Sequence, residues 1–161
     1  MLSLILVRHA KSSWDLPDND KQRKLTAQGE NTIRKVAILV KDEVSEEFSI
    51  WSSSAVRTMS TASLFCDYTG LDKKSIVFKD DLYTFSVGDL ERIIKQCENS
   101  VKQLILFGHN EAITDFVNKF GDINVDNVPT AGLVYLQFDV DCWENINKGK
   151  IIKHIFPKEL D

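Results

Sequence analysis

Proline and glycine are scarce in this chain, at three and seven residues of 161. That excludes collagen-like and Pro/Gly-rich disordered classes. There is no excess of positive charge. Lys plus Arg is 20 and Asp plus Glu is 24, a formal net charge of −4. The basic surplus of a nucleic-acid binder is missing. The overall field would not steer a polyanion, although a local cationic pocket could still take a small one. The cysteines, Cys66, Cys97 and Cys142, are few, far apart and odd in number. They suit free thiols in a reducing compartment rather than a secreted disulfide scaffold. No zinc-type Cys/His spacing appears, so no metal is expected. There is no long hydrophobic run either. The apolar stretch at Leu2 to Val7 is about six residues and lacks a basic leader, too short for a signal-peptide core or a membrane span. No basic amphipathic helix suggests peripheral attachment. These absences together predict a cytoplasmic protein with neither nucleic acid nor membrane as a partner.

What is present reads as globular: 43% hydrophobic and 27% charged residues, in a length that suits one domain over 1–161. No linker, repeat or low-complexity block interrupts it. Leu2 to Val7 predicts a strand buried on both faces. A polar loop follows from Lys11 to Lys24. Thr26 caps a helix reaching about Asp42, with Ile33, Val36, Ala37 and Val40 on one face. Phe48 to Trp51 is a second strand. A helix then runs from near Ala55 to a C-cap at Gly70. Ser75 to Phe78 is a short strand, and Ser86 to Asp89 resembles a capping box opening a helix to about Gln96. Leu104 to Phe107 is another buried strand, followed by a helix from Glu111 to Phe120. Alternation from Leu133 to Val140, with Lys150 to Phe156, predicts an antiparallel hairpin. The order β-α-β-α-β-α-β-α-β-β predicts a three-layer α/β/α sandwich with a mainly parallel central sheet.

In such sheets ligands bind beyond the carboxyl ends of the strands. Three strand ends carry chemistry: Arg8-His9 after the first, Ser54 to Thr58 with Arg57 after the second, and Gly108-His109-Asn110 after the fourth. Singly, each is ordinary. Two Arg and two His on one predicted edge suit a phosphate, because guanidinium groups bind its oxygens bidentately. The start of the helix near Ala55 adds oriented N–H groups. Nearby Arg charges would keep an imidazole unprotonated and nucleophilic near neutral pH. A protonated second His would offset charge on the transferring oxygens.

These residues also carry a resemblance. Leu6-Val7-Arg8-His9-Ala10 resembles the Arg-His-Gly signature of the histidine phosphatase superfamily, with Ala10 in place of the usual Gly. The Ser-x-x-x-Arg segment ending at Arg57, with Thr61-Ala62 after it, is similar to the second motif, and Gly108-His109-Asn110 to the third. Arg23-Lys24-Leu25-Thr26 resembles the Arg-Pro-Leu-Thr segment of SixA-type phosphohistidine phosphatases. Pro129-Thr130-Ala131-Gly132 resembles the segment before their last hairpin. The match spans nearly the whole chain in order. It implies a phosphoglycerate mutase-like fold and a cofactor-free, metal-free phosphatase. In that reading His9 is the nucleophile, Arg8 and Arg57 hold phosphate oxygens, His109 is the second pocket His, and Arg23 is a secondary substrate contact. His154 matches no motif and reads as structural or exposed.

Two departures stand out. Larger relatives carry a phosphate-contacting Asn where this chain has Asp15, whose carboxylate must turn away, hold a proton, or pair with Lys11 or Arg23. They also carry a long insertion that folds over the site and supplies a proton donor. Here positions 58–108 hold only 51 residues between Arg57 and His109, so the lid should be minimal. Asp15, Asp18, Asp20, Asp81 and Asp89 are all candidates for a general acid. An open pocket without a strong acid suits a phosphohistidine on a protein, such as a histidine phosphotransfer domain. The alternatives are a small phosphate ester as substrate, or a phosphoprotein-binding module with little turnover.

Overall fold

The computed structural model describes residues 1–14 and 19–157. A six-stranded sheet is built from β1 (Leu2–Arg8), β2 (Ser49–Ser53), β3 (Ile76–Lys79), β4 (Gln103–Gly108), β5 (Leu133–Phe138) and β6 (Lys150–Ile155). Its order is β3-β2-β4-β1-β5-β6. The first four strands run parallel, β5 joins β1 antiparallel, and β6 pairs antiparallel with β5. The predicted architecture, including the C-terminal hairpin, is the observed one.

β1 and β4 sit at the centre, which explains why each reads as an unbroken apolar run. Leu2, Leu4 and Leu6 with Leu104 and Leu106 pack on one face, against α3 (Val87–Lys95) and α4 (Ala112–Phe120). Ile5, Val7, Ile105 and Phe107 pack on the other, against α1 (Ala27–Val40) and α2 (Val56–Thr69). Successive strand residues point to opposite faces, so a strand covered on both sides must be apolar at every position. Trp143, fully buried between β5 and β6, donates its indole N–H to the Val101 carbonyl at 2.6 Å.

Helix ends show where the local signals held and where they did not. Thr26 Oγ1 accepts from the Gly29 N–H at 2.9 Å, the expected N-cap. Gly70 closes α2 at φ 85°, the left-handed region that glycine enters without penalty. The capping box at Ser86 does not form. Asp89 instead accepts from Thr84 at 2.9 Å and from Arg92 at 3.0 Å. The Ser86 N–H, the main-chain target of such a box, donates to Thr84 Oγ1 at 3.2 Å instead, so the hydroxyl stands between it and the carboxylate. Among the described residues, no helix is long and apolar enough to cross a membrane.

One glycine is fixed by a close approach. A Cβ on Gly29 would lie 2.3 Å from the Lys11 carbonyl oxygen. That same carbonyl accepts from the Thr26 N–H at 2.9 Å, so the first turn of α1 is clamped to the loop that leaves β1. Alanine usually favours a helix over glycine by about 1 kcal/mol. Here Gly29→Ala is expected to destabilise, by about 1–3 kcal/mol, because the first turn must be pushed off Lys11. Thermal unfolding of the variant measures this, and an unchanged or raised Tm would contradict the clamp.

Candidate active site

The sheet register assembles the site. Arg8 pairs with Gly108, and Ser52 with Phe107. The residues one step beyond these, His9, His109 and Ser53, therefore meet above three adjacent strands. The His9 N–H donates to the Gly108 carbonyl at 3.1 Å, and the two imidazole centroids stand 5.4 Å apart. Arg57, the second residue of α2, reaches the same spot, its Nη2 3.5 Å from His109 Nδ1. Thr61 joins the elements: its hydroxyl donates to the Arg57 carbonyl at 2.7 Å and accepts from the Ala10 N–H at 3.0 Å. Arg8, His9, Arg23 and Arg57 line one cavity of about 400 Å³, together with Lys11, Ser12, Trp14, Asp20, Phe85, Asn110 and Thr130. His109 stands behind it, buried between Arg57 and Ser53.

The segment before β5 secures the end of β1. The Ala131 N–H donates to both the Arg8 and His9 carbonyls, at 3.1 and 3.0 Å, and the Arg8 N–H donates to the Gly132 carbonyl at 3.0 Å. Ala131 holds φ 60° to do so, a conformation that costs a non-glycine residue roughly 1 kcal/mol. The Arg8 side chain donates to the Val128 carbonyl at 3.0 Å.

Both imidazoles are neutral at physiological pH. Burial, reinforced by Arg57, Arg8 and Arg23, pushes His9 down to about 4 against the opposing pull of the Ala10 carbonyl. Burial, with His9 and Arg57 next, pushes His109 down to about 3. The His9 Nδ1–H donates to the Ala10 carbonyl at 2.8 Å, which assigns the lone pair to Nε2. Arg57 has only N–H groups to offer, so His109 Nδ1 accepts and its Nε2–H donates to Ser53 Oγ at 2.8 Å. His109 is therefore neutral, not protonated as expected of the second His.

The sequence reading missed the strongest ionic feature. Arg57 Nη1 donates to the Asp20 carbonyl at 2.6 Å and Nη2 to Asp20 Oδ2 at 3.0 Å. Arg23 Nε donates to Asp20 Oδ1 at 3.1 Å, and Arg23 Nη1 to Ser12 Oγ at 2.8 Å. The Tyr83 hydroxyl also donates to Asp20 Oδ2. Arg23 is thus buried and fixed rather than solvated, and its guanidinium stacks 3.6 Å above the Trp14 ring. Tyr83 carried no sequence signal, because its partner lies 63 positions away.

The acid candidates separate. Burial pushes the Asp20 carboxyl up, but Tyr83, Arg57 and Arg23 outweigh it and hold it at about 2, so it keeps no proton to donate at neutral pH. Asp81 lines a different cavity with Trp51, Ile93 and Gln96. Asp89, held by Thr84 first and Arg92 next, falls below the usual carboxylate range. Asp15 and Asp18 lie outside the described residues. Among the described residues no group of three or more His, Cys, Asp or Glu stands ready to hold a metal.

Comparison with known proteins gives the family. Residues 4–106 match the model of the histidine phosphatase superfamily, branch 1. The chain belongs to that superfamily. It is accordingly a phosphatase. Of solved superfamily-like structures, the protein histidine phosphatase SixA in complex with tungstate superposes with a TM-score of 0.83 at 20% identity, covering 99% of this chain and 100% of that one. A candidate phosphohistidine phosphatase SixA from Agrobacterium tumefaciens is 25% identical, with a TM-score of 0.75 and coverage of 96% and 97%. A mycobacterial glucosyl-3-phosphoglycerate phosphatase has a TM-score of 0.69 at 11% identity, covering 95% and 98%. These likenesses establish the phosphoglycerate mutase-like α/β fold. An uncharacterized chloroplastic protein of Arabidopsis thaliana is 29% identical over 150 residues, 88% of this chain and 68% of that one.

The buried neutral imidazoles make this superfamily member acid-sensitive. In the unfolded chain each His takes a proton near pH 6.5, while the folded state refuses it until about pH 4 at His9 and 3 at His109. Their contribution is whole above pH 6.5 and is lost as the pH falls from there toward 4 and 3. The limiting slope is about 1.4 kcal/mol per pH unit for each ring. Urea unfolding between pH 7 and 4 measures the slope, and His109→Asn should flatten it. A slope unchanged in that variant would show His109 is not protonation-linked.

Proposed function

We propose that His9 is the nucleophile and that the protein removes phosphoryl groups from phosphohistidine on a protein. The observation carrying this reading is the His9 Nε2 lone pair, buried and unprotonated, in a cavity lined by three guanidinium groups. His9 Nε2 attacks phosphorus, the substrate N–P bond breaks, and the substrate ring, protonated beforehand at its other nitrogen, leaves as neutral imidazole. Water then attacks the phosphorus of phospho-His9, the P–Nε2 bond breaks, and inorganic phosphate leaves with the neutral imidazole restored. Arg8, Arg57 and Arg23 neutralise the equatorial oxygens throughout. A phosphoryl dianion beside His109 adds negative charge there and raises that ring's proton affinity.

Two features favour phosphohistidine over an alkyl ester. The carboxylate that lines the cavity, Asp20, is ionised, so the leaving group receives little help from a proton donor. Imidazole, with a conjugate-acid pKa of about 6.5, needs far less help than an alkoxide. The rim also offers flat surfaces. Trp14 is 71% exposed and Phe85 53% exposed, yet both are held in place: Trp14 under Arg23, and Phe85 edge-on to His109 at 5.5 Å. An imidazole has aromatic faces to stack on such walls, and a glycerate phosphate has none. A pure binding module would have no use for an unprotonated His9.

Two measurements test this. Turnover of p-nitrophenyl phosphate in EDTA should proceed in the wild type and fall at least about 1,000-fold in His9→Ala with the fold intact; near-normal turnover in that variant ends the covalent reading. The kcat/KM for a phosphorylated histidine phosphotransfer domain should exceed those for sugar phosphates and glycerate phosphates by tenfold or more. Faster hydrolysis of a small ester would move the substrate assignment to phosphomonoesters.

A further inference from the structure

We propose that Asp20 is the positioning residue of the phosphoryl site, holding the Arg57 and Arg23 guanidinium groups in the orientation that receives phosphate. This rests on the phosphatase reading above. Asp20 grips Arg57 with two oxygens, its main-chain carbonyl at 2.6 Å and Oδ2 at 3.0 Å. That two-point contact fixes the guanidinium plane. It uses one N–H on each η nitrogen, His109 Nδ1 takes the second on Nη2, and two donors remain, including the Nε–H, which is buried without a partner. The Arg8 Nε–H is likewise buried and unpartnered. The second carboxylate oxygen, Oδ1, holds Arg23 at 3.1 Å. Tyr83 then fixes the carboxylate itself by donating to Oδ2. One side chain thus ties the turn at Asp20–Gln22, the start of α2 and the segment after β3 around one anion site.

The charges agree with a resident carboxylate. The Lys11 ammonium is turned to Gln28 Oε1 at 3.3 Å, so the facing charges are the guanidinium groups of Arg8, Arg23 and Arg57, three positive charges of which Asp20 offsets one. The two that remain complement a phosphoryl dianion. The competing role has the opposite sign. If Asp20 merely occupied the phosphate ligands, removing its charge would tighten phosphate binding by Coulomb attraction alone. If it positions them, removing it frees two guanidinium groups to turn away and binding weakens.

The test is orthophosphate binding by titration calorimetry on the full chain, with KM and kcat for p-nitrophenyl phosphate alongside. Asp20→Asn should raise the phosphate Kd and the KM about tenfold while changing kcat less. Tyr83→Phe, which keeps the carboxylate but frees it, should raise Kd about threefold with an unchanged Tm. In an Arg23→Ala background, Asp20→Asn should cost less than it does alone, since half of what it positions is gone; a general loosening would cost the same in both backgrounds. An unchanged or lower Kd in Asp20→Asn overturns the proposal, the lower value marking Asp20 as a competitor. Should Asp20→Asn fail to fold, an unchanged Kd in Tyr83→Phe overturns it instead. Wild-type protein that binds no phosphate would refute the underlying phosphatase reading rather than the role of Asp20.

Discussion

A full positive charge buried inside the protein sets the terms for everything around it. Arg57 is 1% exposed, and a guanidinium taken out of water is tolerated only with partners that replace the solvent. Asp20 supplies the counter-ion, and His109 supplies a ring nitrogen on the other side. Each partner is then constrained in turn. Because Nδ1 of His109 must accept, its proton moves to the Ser53 side. Because Asp20 must reach inward from a polar loop, that loop is drawn down across the sheet edge, bringing Arg23 and Ser12 with it.

The two imidazoles add no charge to this arrangement. All of the cavity's positive potential comes from groups that stay protonated at any physiological pH, while the histidines contribute lone pairs and N–H donors. With His9 in its proposed role, division of labour of this kind separates anion capture from nucleophilicity. A site that bound anions through imidazolium would lose its nucleophile whenever it gained its affinity.

Much of this was legible in the chain itself, and the limits are physical. β1 and β4 announced themselves as apolar runs because burial on both faces leaves no room for polar positions, and their ends drew attention to His9 and His109. The parallel order then placed Arg57 beside them. Asp20 was visible only as one of five acidic residues, since Arg57 and Tyr83, which draw it into the site, sit 37 and 63 positions away in sequence and no local pattern encodes a pairing at that range. Tyr83 was invisible for the same reason. Ser86 and Asp89 misled because the spacing of a cap is a local signal, and the Thr84 hydroxyl takes both the Ser86 N–H and the Asp89 carboxylate.

The Ala131 peptide ties the site to a part of the chain that brings no charge to it. The segment just before β5 holds the carbonyls of both Arg8 and His9 through a single N–H, and Val128 anchors the Arg8 side chain. All four convergent residues, Arg8, His9, Arg57 and His109, precede α4. A chain cut after α4 would keep every one of them and lose the splint that holds the end of β1. The convergent side chains and the hydrogen bonds that hold the end of β1 are therefore encoded in different stretches of the sequence, and exchanging residues 128–132 between relatives would shift the first strand's end without altering a single charged group.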